Sequence, residues 1–111
     1  MKYAIILCFS YTSAWLEKSR GQRKEIEERA IHPLFAKYAD KVKARFFDCE
    51  AFQSRFSDFV LFECRDLKPY YYLLEELRDS ALIADGYATI QDIFMGIEDG
   101  YQEFERDTVK T

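Results

Sequence analysis

Residues 3–10 read Tyr3-Ala4-Ile5-Ile6-Leu7-Cys8-Phe9-Ser10, and residues 59–62 read Phe59-Val60-Leu61-Phe62. β-Branched and aromatic residues crowd both runs, a composition that suits a pleated, buried surface. Successive side chains of a strand point to opposite faces, so a sheet wetted on one side alternates apolar with polar residues. Neither run alternates. Both parities are apolar, and any sheet built from these strands needs cover on both faces.

Outward from the first strand, Thr12 and Ser13 supply a helix-initiating turn, with a short helical turn through Trp15. Ser19 followed by Gln22 has the spacing of a capping box. Beyond it Ile26, Ala30, Leu34 and Tyr38 recur every four residues, Ile31 and Phe35 widen the stripe, and Arg23/Glu27 and Glu25/Arg29 are spaced as charge pairs on the polar side. Pro33 lacks an N–H and its ring clashes one turn back, which predicts a bend near His32.

Val42 to Phe52 and Phe56 to Cys64 are strand-like and flank the polar Gln53-Ser54-Arg55, predicting an antiparallel hairpin. Asp66 caps a second helix with Pro69 in its first turn, and Leu67, Tyr70, Tyr71, Leu74 and Leu77 form its expected buried face. Gly86 marks a connection. A fourth strand is expected from Ala88 to Ile97, ending at Glu98-Asp99-Gly100, with one more helical turn over Tyr101 to Arg106.

The order β-α-β-β-α-β predicts an α+β, ferredoxin-like domain over residues 1–111: a four-stranded antiparallel sheet with two helices on one face. Two helices shelter one face only. The commonest remedy for the other is a second copy related by a two-fold axis, so a homodimer is expected. At roughly 25 cal/mol per Å² of apolar area, leaving such a face in water is costly for a small domain.

The formal charge of -4 and pI near 5.0 arise from acids and bases interspersed along the chain, so no basic field exists to hold a polyanion. Neither nucleic acid nor a membrane is expected as a partner. The stretch Arg55 to Phe62 partly matches the octapeptide of RNA-recognition motifs, but Ser57 stands for a base-stacking aromatic, Phe56 for glycine, and Asp58 adds a negative charge. Cys8, Cys49 and Cys64 are odd in number and without metal-ligand spacing, which suits reduced thiols in a cytoplasmic protein. Lys2 with the apolar run Tyr3 to Phe9 imitates a signal peptide, and Ile5-Ile6-Leu7-Cys8 a lipoprotein site. The run is short, Leu7 is too large to precede a processed cysteine, and cleavage would delete the first strand.

Chemistry-bearing residues are few. His32 is the sole histidine, through which any triad-like mechanism would pass; its plainer role is to satisfy backbone groups at the bend. Asp48, Glu50 and Asp58 lie near the hairpin's ends, and Asp92 interrupts an apolar strand. If Asp48 faces Asp58, one of them gains a raised pKa and can serve as a general acid, whereas pairing with Arg45, Arg55 or Arg78 would make both structural. His32, Asp48 and Asp92 are the candidate catalytic residues; Trp15, Phe46, Asp58 and Phe94 are the candidate ligand contacts. Glycine-rich phosphate loops, nucleophile elbows and metal-binding signatures do not occur, so no cofactor and no metal is expected.

Taken together, Ala14-Trp15-Leu16, Pro33-Leu34-Phe35-Ala36-Lys37-Tyr38-Ala39-Asp40, Arg45-Phe46-Phe47-Asp48, Glu50-Ala51-Phe52, Ser57-Asp58-Phe59, Asp66-Leu67, Tyr70-Tyr71, Glu76-Leu77-Arg78-Asp79-Ser80, Asp92-Ile93-Phe94 and Gly96-Ile97-Glu98 give a chain that resembles the darcynin family of small bacterial proteins. The resemblance implies a ferredoxin-like domain of the dimeric α+β-barrel type and brings no catalytic residues with it. Two functions follow as expectations. One is a cofactor-free dimer that binds a small apolar molecule or a protein partner. The other, by analogy of fold alone, is a cofactor-independent monooxygenase or isomerase. Haem binding is a variant suggested by related barrels.

Overall fold

The computed structural model describes residues 1–108; the end of the expected 1–111 domain, residues 109–111, lies outside the described residues. The elements are β1 (Tyr3–Tyr11), α1 (Ser13–Leu16), α2 (Arg20–Ile26), a π-helical turn (Glu27–Ile31), α3 (His32–Lys37), β2 (Val42–Asp48), β3 (Asp58–Cys64), α4 (Leu67–Asp79), α5 (Ala81–Ala84), β4 (Ala88–Ile97) and α6 (Gly100–Thr108). The strands form one antiparallel sheet in the order β2-β3-β1-β4, the ferredoxin-like arrangement.

Local chemistry explains most boundaries. Ser19 Oγ accepts the Gln22 N–H at 3.1 Å and Gln22 Oε1 accepts the Ser19 N–H at 2.9 Å, closing the capping box that starts α2. The bend expected near His32 takes the form of a widened turn. The π-helical stretch ends just before His32 and Pro33 opens α3, so the wider turn accommodates the missing N–H and the proline ring. Gly86 connects α5 to β4 at φ 77, a conformation open to glycine at little cost.

Three expectations need correction. The β2–β3 connection runs over residues 49–57 rather than 53–55. There the Gln53 side chain accepts the N–H groups of Arg55 (2.9 Å) and Phe56 (3.3 Å) and donates to the Phe56 carbonyl, replacing ladder bonds. On α4 the buried line is Leu73, Leu74 and Leu77, beside half-buried Tyr70, while Tyr71 points to solvent. Only the Glu25/Arg29 pair closes, at 3.0 Å; Arg23/Glu27 is not an ion pair among the described residues.

The core lies between the helical layer and one sheet face. Ile5, Leu7 and Phe9 of β1 meet Phe62, Val60 and Asp58 of β3 in register, and the apolar members pack against Ile31, Leu34, Leu73, Leu74 and Leu77. A register shift between Cys8 and Phe9 marks a bulge that makes Gln91 the extra residue of β4, so Ile90 and Ile93 both face the helix side. The other face carries Ala4, Ile6, Cys8, Phe47, Phe59, Leu61 and Phe94, so the sheet is apolar on both sides. Its exposed apolar surface concentrates at the edge: Ile93, Phe94, Met95 and Ile97 of β4 and Tyr101 and Phe104 of α6 all lie in solvent.

Candidate functional site

Between the helical layer and one end of the sheet lies a cavity of about 270 Å³. Leu7, Phe9 and Val60 form its sheet wall, with Ile31, Phe35, Leu82 and Ile83 opposite. Phe35 meets Phe46 edge-on with ring centroids 5.1 Å apart, and Phe46 stays more than half exposed at the opening. Phe47 and Phe59, stacked at 4.7 Å, belong to β2 and β3 but alternate to the far face of the sheet.

Polar groups converge on this cavity from three directions. Asp48 at the end of β2 stands opposite Asp58 at the start of β3, as hairpin register requires. With Glu50, their carboxylate oxygens lie within 4.8 Å of one another. Glu27 and His32 enter from the π-helical turn and α3, and Tyr11 from the end of β1. Ser57 Oγ donates to Asp58 Oδ1 at 2.6 Å, while Ser57 N–H donates to the Phe9 carbonyl at 3.1 Å, fixing the aspartate against β1.

Burial lifts the Asp58 carboxyl from its ordinary 3.8 to about 6; the Ser57 hydrogen bond opposes this, and a hydrogen bond with Asp48 and the charges of Asp48 and Glu50 reinforce it. Arg45, a candidate neutralising partner, instead bonds Glu63 at 2.9 Å. Burial, followed by the charges of Asp58, Glu27 and Asp48, pushes the Tyr11 phenol up to about 12, so it stays a proton donor.

The raised Asp58 pKa has a consequence for stability. A carboxyl that ionises less readily in the folded state favours folding at low pH, and that contribution disappears as pH rises from about 4 to about 6. Taken at face value the shift is worth about 3 kcal/mol. Asp58 is only partly buried, so solvent screening leaves ~1 kcal/mol. Asp58→Asn is therefore expected to stabilise the protein by that amount above pH 6 and to change little at pH 4. Urea melts at the two pH values check this, and equal effects at both would contradict it.

The structure brings together four of the seven residues singled out from sequence: His32, Phe46, Asp48 and Asp58. It separates the others. Trp15 is buried and stacked on Tyr11 at 5.3 Å, where it packs behind the cavity. Asp92 pairs with Cys8 on the opposite sheet face and accepts the Ile93 N–H at 2.9 Å. Phe94 lies on that same face, opposite Ile6. Tyr11, Glu27 and Phe35 were not anticipated. Alternate parity along β1 points to Tyr11, whereas Glu27 reads as a helix-surface residue. The cysteines Cys8, Cys49 and Cys64 are free and buried.

The family model described as "Darcynin, domain of unknown function" matches residues 3–111. The chain belongs to the darcynin family. Darcynin 1 of Acinetobacter baumannii is 38% identical over 87 residues, which cover 78% of this chain and 96% of that protein. Among solved structures, the darcynin fold superposes on a haem-binding protein from Thermus thermophilus with TM-score 0.80 at 15% identity, covering 92% of this chain and 43% of the other. Chlorite dismutase from Candidatus Nitrospira defluvii, in complex with imidazole, gives TM-score 0.75 at 13% identity, over 86% of this chain and 39% of the other. The darcynin chain thus spans about two fifths of these solved chains, and at such identities the likeness is one of fold.

No helix among the described residues is long and apolar enough to cross a membrane.

Proposed function

We propose that residues 1–111 act as one domain that forms a homodimer and binds a small apolar molecule in the cavity between sheet and helices, without a cofactor or metal. The observation that carries the ligand reading is the cavity itself: aromatic and aliphatic walls with a few polar groups at one end, the usual composition of a small-molecule site. A cytoplasmic setting suits the three free thiols. Neither nucleic acid nor a membrane is part of this reading, because the chain is acidic overall.

Haem, which one solved neighbour binds, does not fit these residues. Its two propionates would meet Glu27, Asp48 and Asp58 with like charge, and neither Lys nor Arg lines the cavity among the described residues. His32 offers iron a nitrogen but no compensation for that repulsion.

A fluorescence titration with N-phenylnaphthylamine, a neutral apolar dye, tests the ligand reading. One saturable site per chain is expected, weakened about tenfold by Phe46→Ala, the order of one lost aromatic contact. Phe94→Ala, on the far face, is expected to leave binding unchanged. The reverse pattern would move the site off the cavity. Sedimentation of the unmodified chain tests the dimer.

A second reading is a cofactor-independent monooxygenase or isomerase. One observation favours it: Asp58, with its proton poised at about 6, shares the cavity with Asp48, His32 and the protonated Tyr11. A carboxyl titrating near neutrality is suited to proton transfer. Turnover of an aromatic or lactone substrate, lost in Asp48→Asn and His32→Gln, would establish it.

A further inference from the structure

Resting on the reading of the cavity as a ligand site, we infer that its ligand is an organic ammonium: an apolar or aromatic body carrying a protonated amine that sits beside Asp48 and Asp58. Two independent features of the lining select for positive charge. The first is the sign of its ionisable groups. Glu27, Asp48 and Asp58 come from three separate elements, the π-helical turn, β2 and β3, yet all are acidic, and no Lys or Arg accompanies them among the described residues. Arg45, the neighbouring base on β2, lies on the opposite sheet face and is held by Glu63 at 2.9 Å. A cation entering the cavity meets attraction that a low-dielectric wall strengthens, and an anion meets the same interaction with opposite sign.

The second feature is the aromatic wall. On the helix side of the sheet Phe9, Phe35 and Phe46 line the same cavity, and Phe46 is exposed at its opening. Ring faces carry negative electrostatic potential, so an ammonium close to several of them is held by cation–π attraction in addition to the carboxylates. Neither feature depends on the other. Replacing the acids leaves the rings, and truncating the rings leaves the acids. Tyr11 adds a hydroxyl to the lining, and His32, Glu50 and the Cys49 thiol are further titratable groups around the pair.

Displacement of bound N-phenylnaphthylamine by three molecules of matched shape tests this at about pH 8, where Asp58 is ionised. The three are phenethylamine, phenylethanol and phenylpropionate. Phenethylamine is expected to displace the dye at concentrations at least tenfold below those of phenylethanol, and phenylpropionate to be weaker than both. Asp48→Asn/Asp58→Asn is expected to remove the preference for the amine over the alcohol, and a urea midpoint no lower than the parent's shows that the variant remains folded. Equal displacement by all three, stronger displacement by phenylpropionate or by haemin, or displacement by none overturns the inference while the cavity reading survives. Failure of the dye itself to bind at the Phe46-dependent site overturns both.

Discussion

Replacing Phe62 with alanine is expected to lower the unfolding free energy by about 3–5 kcal/mol, the largest effect of any single truncation in this chain. Phe62 is fully buried at the centre of β3, opposite Ile5 of β1 and Ala44 of β2. Its ring lies parallel to Phe35 at 6.1 Å and edge-on to Tyr70 at 5.4 Å, so one side chain joins the sheet to both α3 and α4. Truncation removes its transfer energy and leaves a hole between three elements that are fixed by their own contacts and cannot all collapse inward. Domains of this size carry roughly 5–15 kcal/mol in total, so the variant is expected to be close to unfolding at 37 °C. Urea denaturation checks this through a lowered midpoint with an unchanged slope. Phe52→Ala is the control. Phe52 is 86% exposed in the β2–β3 connection, and its loss is expected to stay within about 0.5 kcal/mol. Similar midpoints for the two variants would mean that the packing around Phe62 is not the core described.

Features encoded within a few residues were legible in the sequence. The Ser19–Gln22 capping box, the span of β4 from Ala88 to Ile97 and the stop at Gly86 each depend on neighbouring residues alone, and each stands as expected. The overlong reading of the hairpin strands has a physical cause. Phe52 and Phe56 look like strand residues, but the Gln53 side chain bonds the backbone of Arg55 and Phe56 and holds a non-strand loop open between them. Composition cannot reveal a side chain that substitutes for a ladder. The four residues of α5 are too few to show a helical period.

The candidate site was legible where register alone decided it. Once Val42 to Asp48 and Asp58 to Cys64 pair as a hairpin, Asp48 must face Asp58, and their coupling follows. Asp92 and Phe94 were misplaced because the bulge at Gln91 sets which face each takes, and a bulge leaves no mark in a hydrophobic pattern. Trp15 shows the limit of aromatic content as a signal: a ring stacked behind a cavity and a ring lining it have the same sequence signature. Glu27 stands four residues before Ile31 and eight before Phe35, so the spacing does put it on their stripe, but its charge and its expected pairing with Arg23 read as a polar surface. It opens the π-helical turn and lines the cavity together with Ile31 and Phe35.

Phe94→Arg is expected to raise the dissociation constant of the proposed homodimer between a hundredfold and ten-thousandfold. The face opposite the helices carries Ala4, Ile6, Phe47, Phe59, Leu61 and Phe94, and towards the edge Phe94 is 53% exposed. Ile93, Met95 and Ile97, on the other side of β4, and Tyr101 and Phe104 of α6 are exposed as well, so this edge of the molecule is rich in apolar surface. Contiguous apolar surface of this kind usually marks an interface, and a two-fold axis lets one patch cover its own copy. Several surrounding charges pair within the chain: Lys2 lies 3.5 Å from Glu63 and 3.8 Å from Glu98, and Arg45 bonds Glu63. Apolar burial is therefore left as the main drive for association. Each Phe94 withdrawn from an interface forfeits about 1.5–3 kcal/mol, and symmetry doubles the loss to roughly 3–6 kcal/mol per dimer. At 1.4 kcal/mol per tenfold change, that gives the range stated. Sedimentation velocity over a concentration series measures it, with Phe52→Arg as the matched charge on an exposed loop away from the sheet. A monomeric unmodified chain at high concentration, or a Phe94→Arg variant that associates as tightly as the parent, would leave the open face without the partner that its composition calls for.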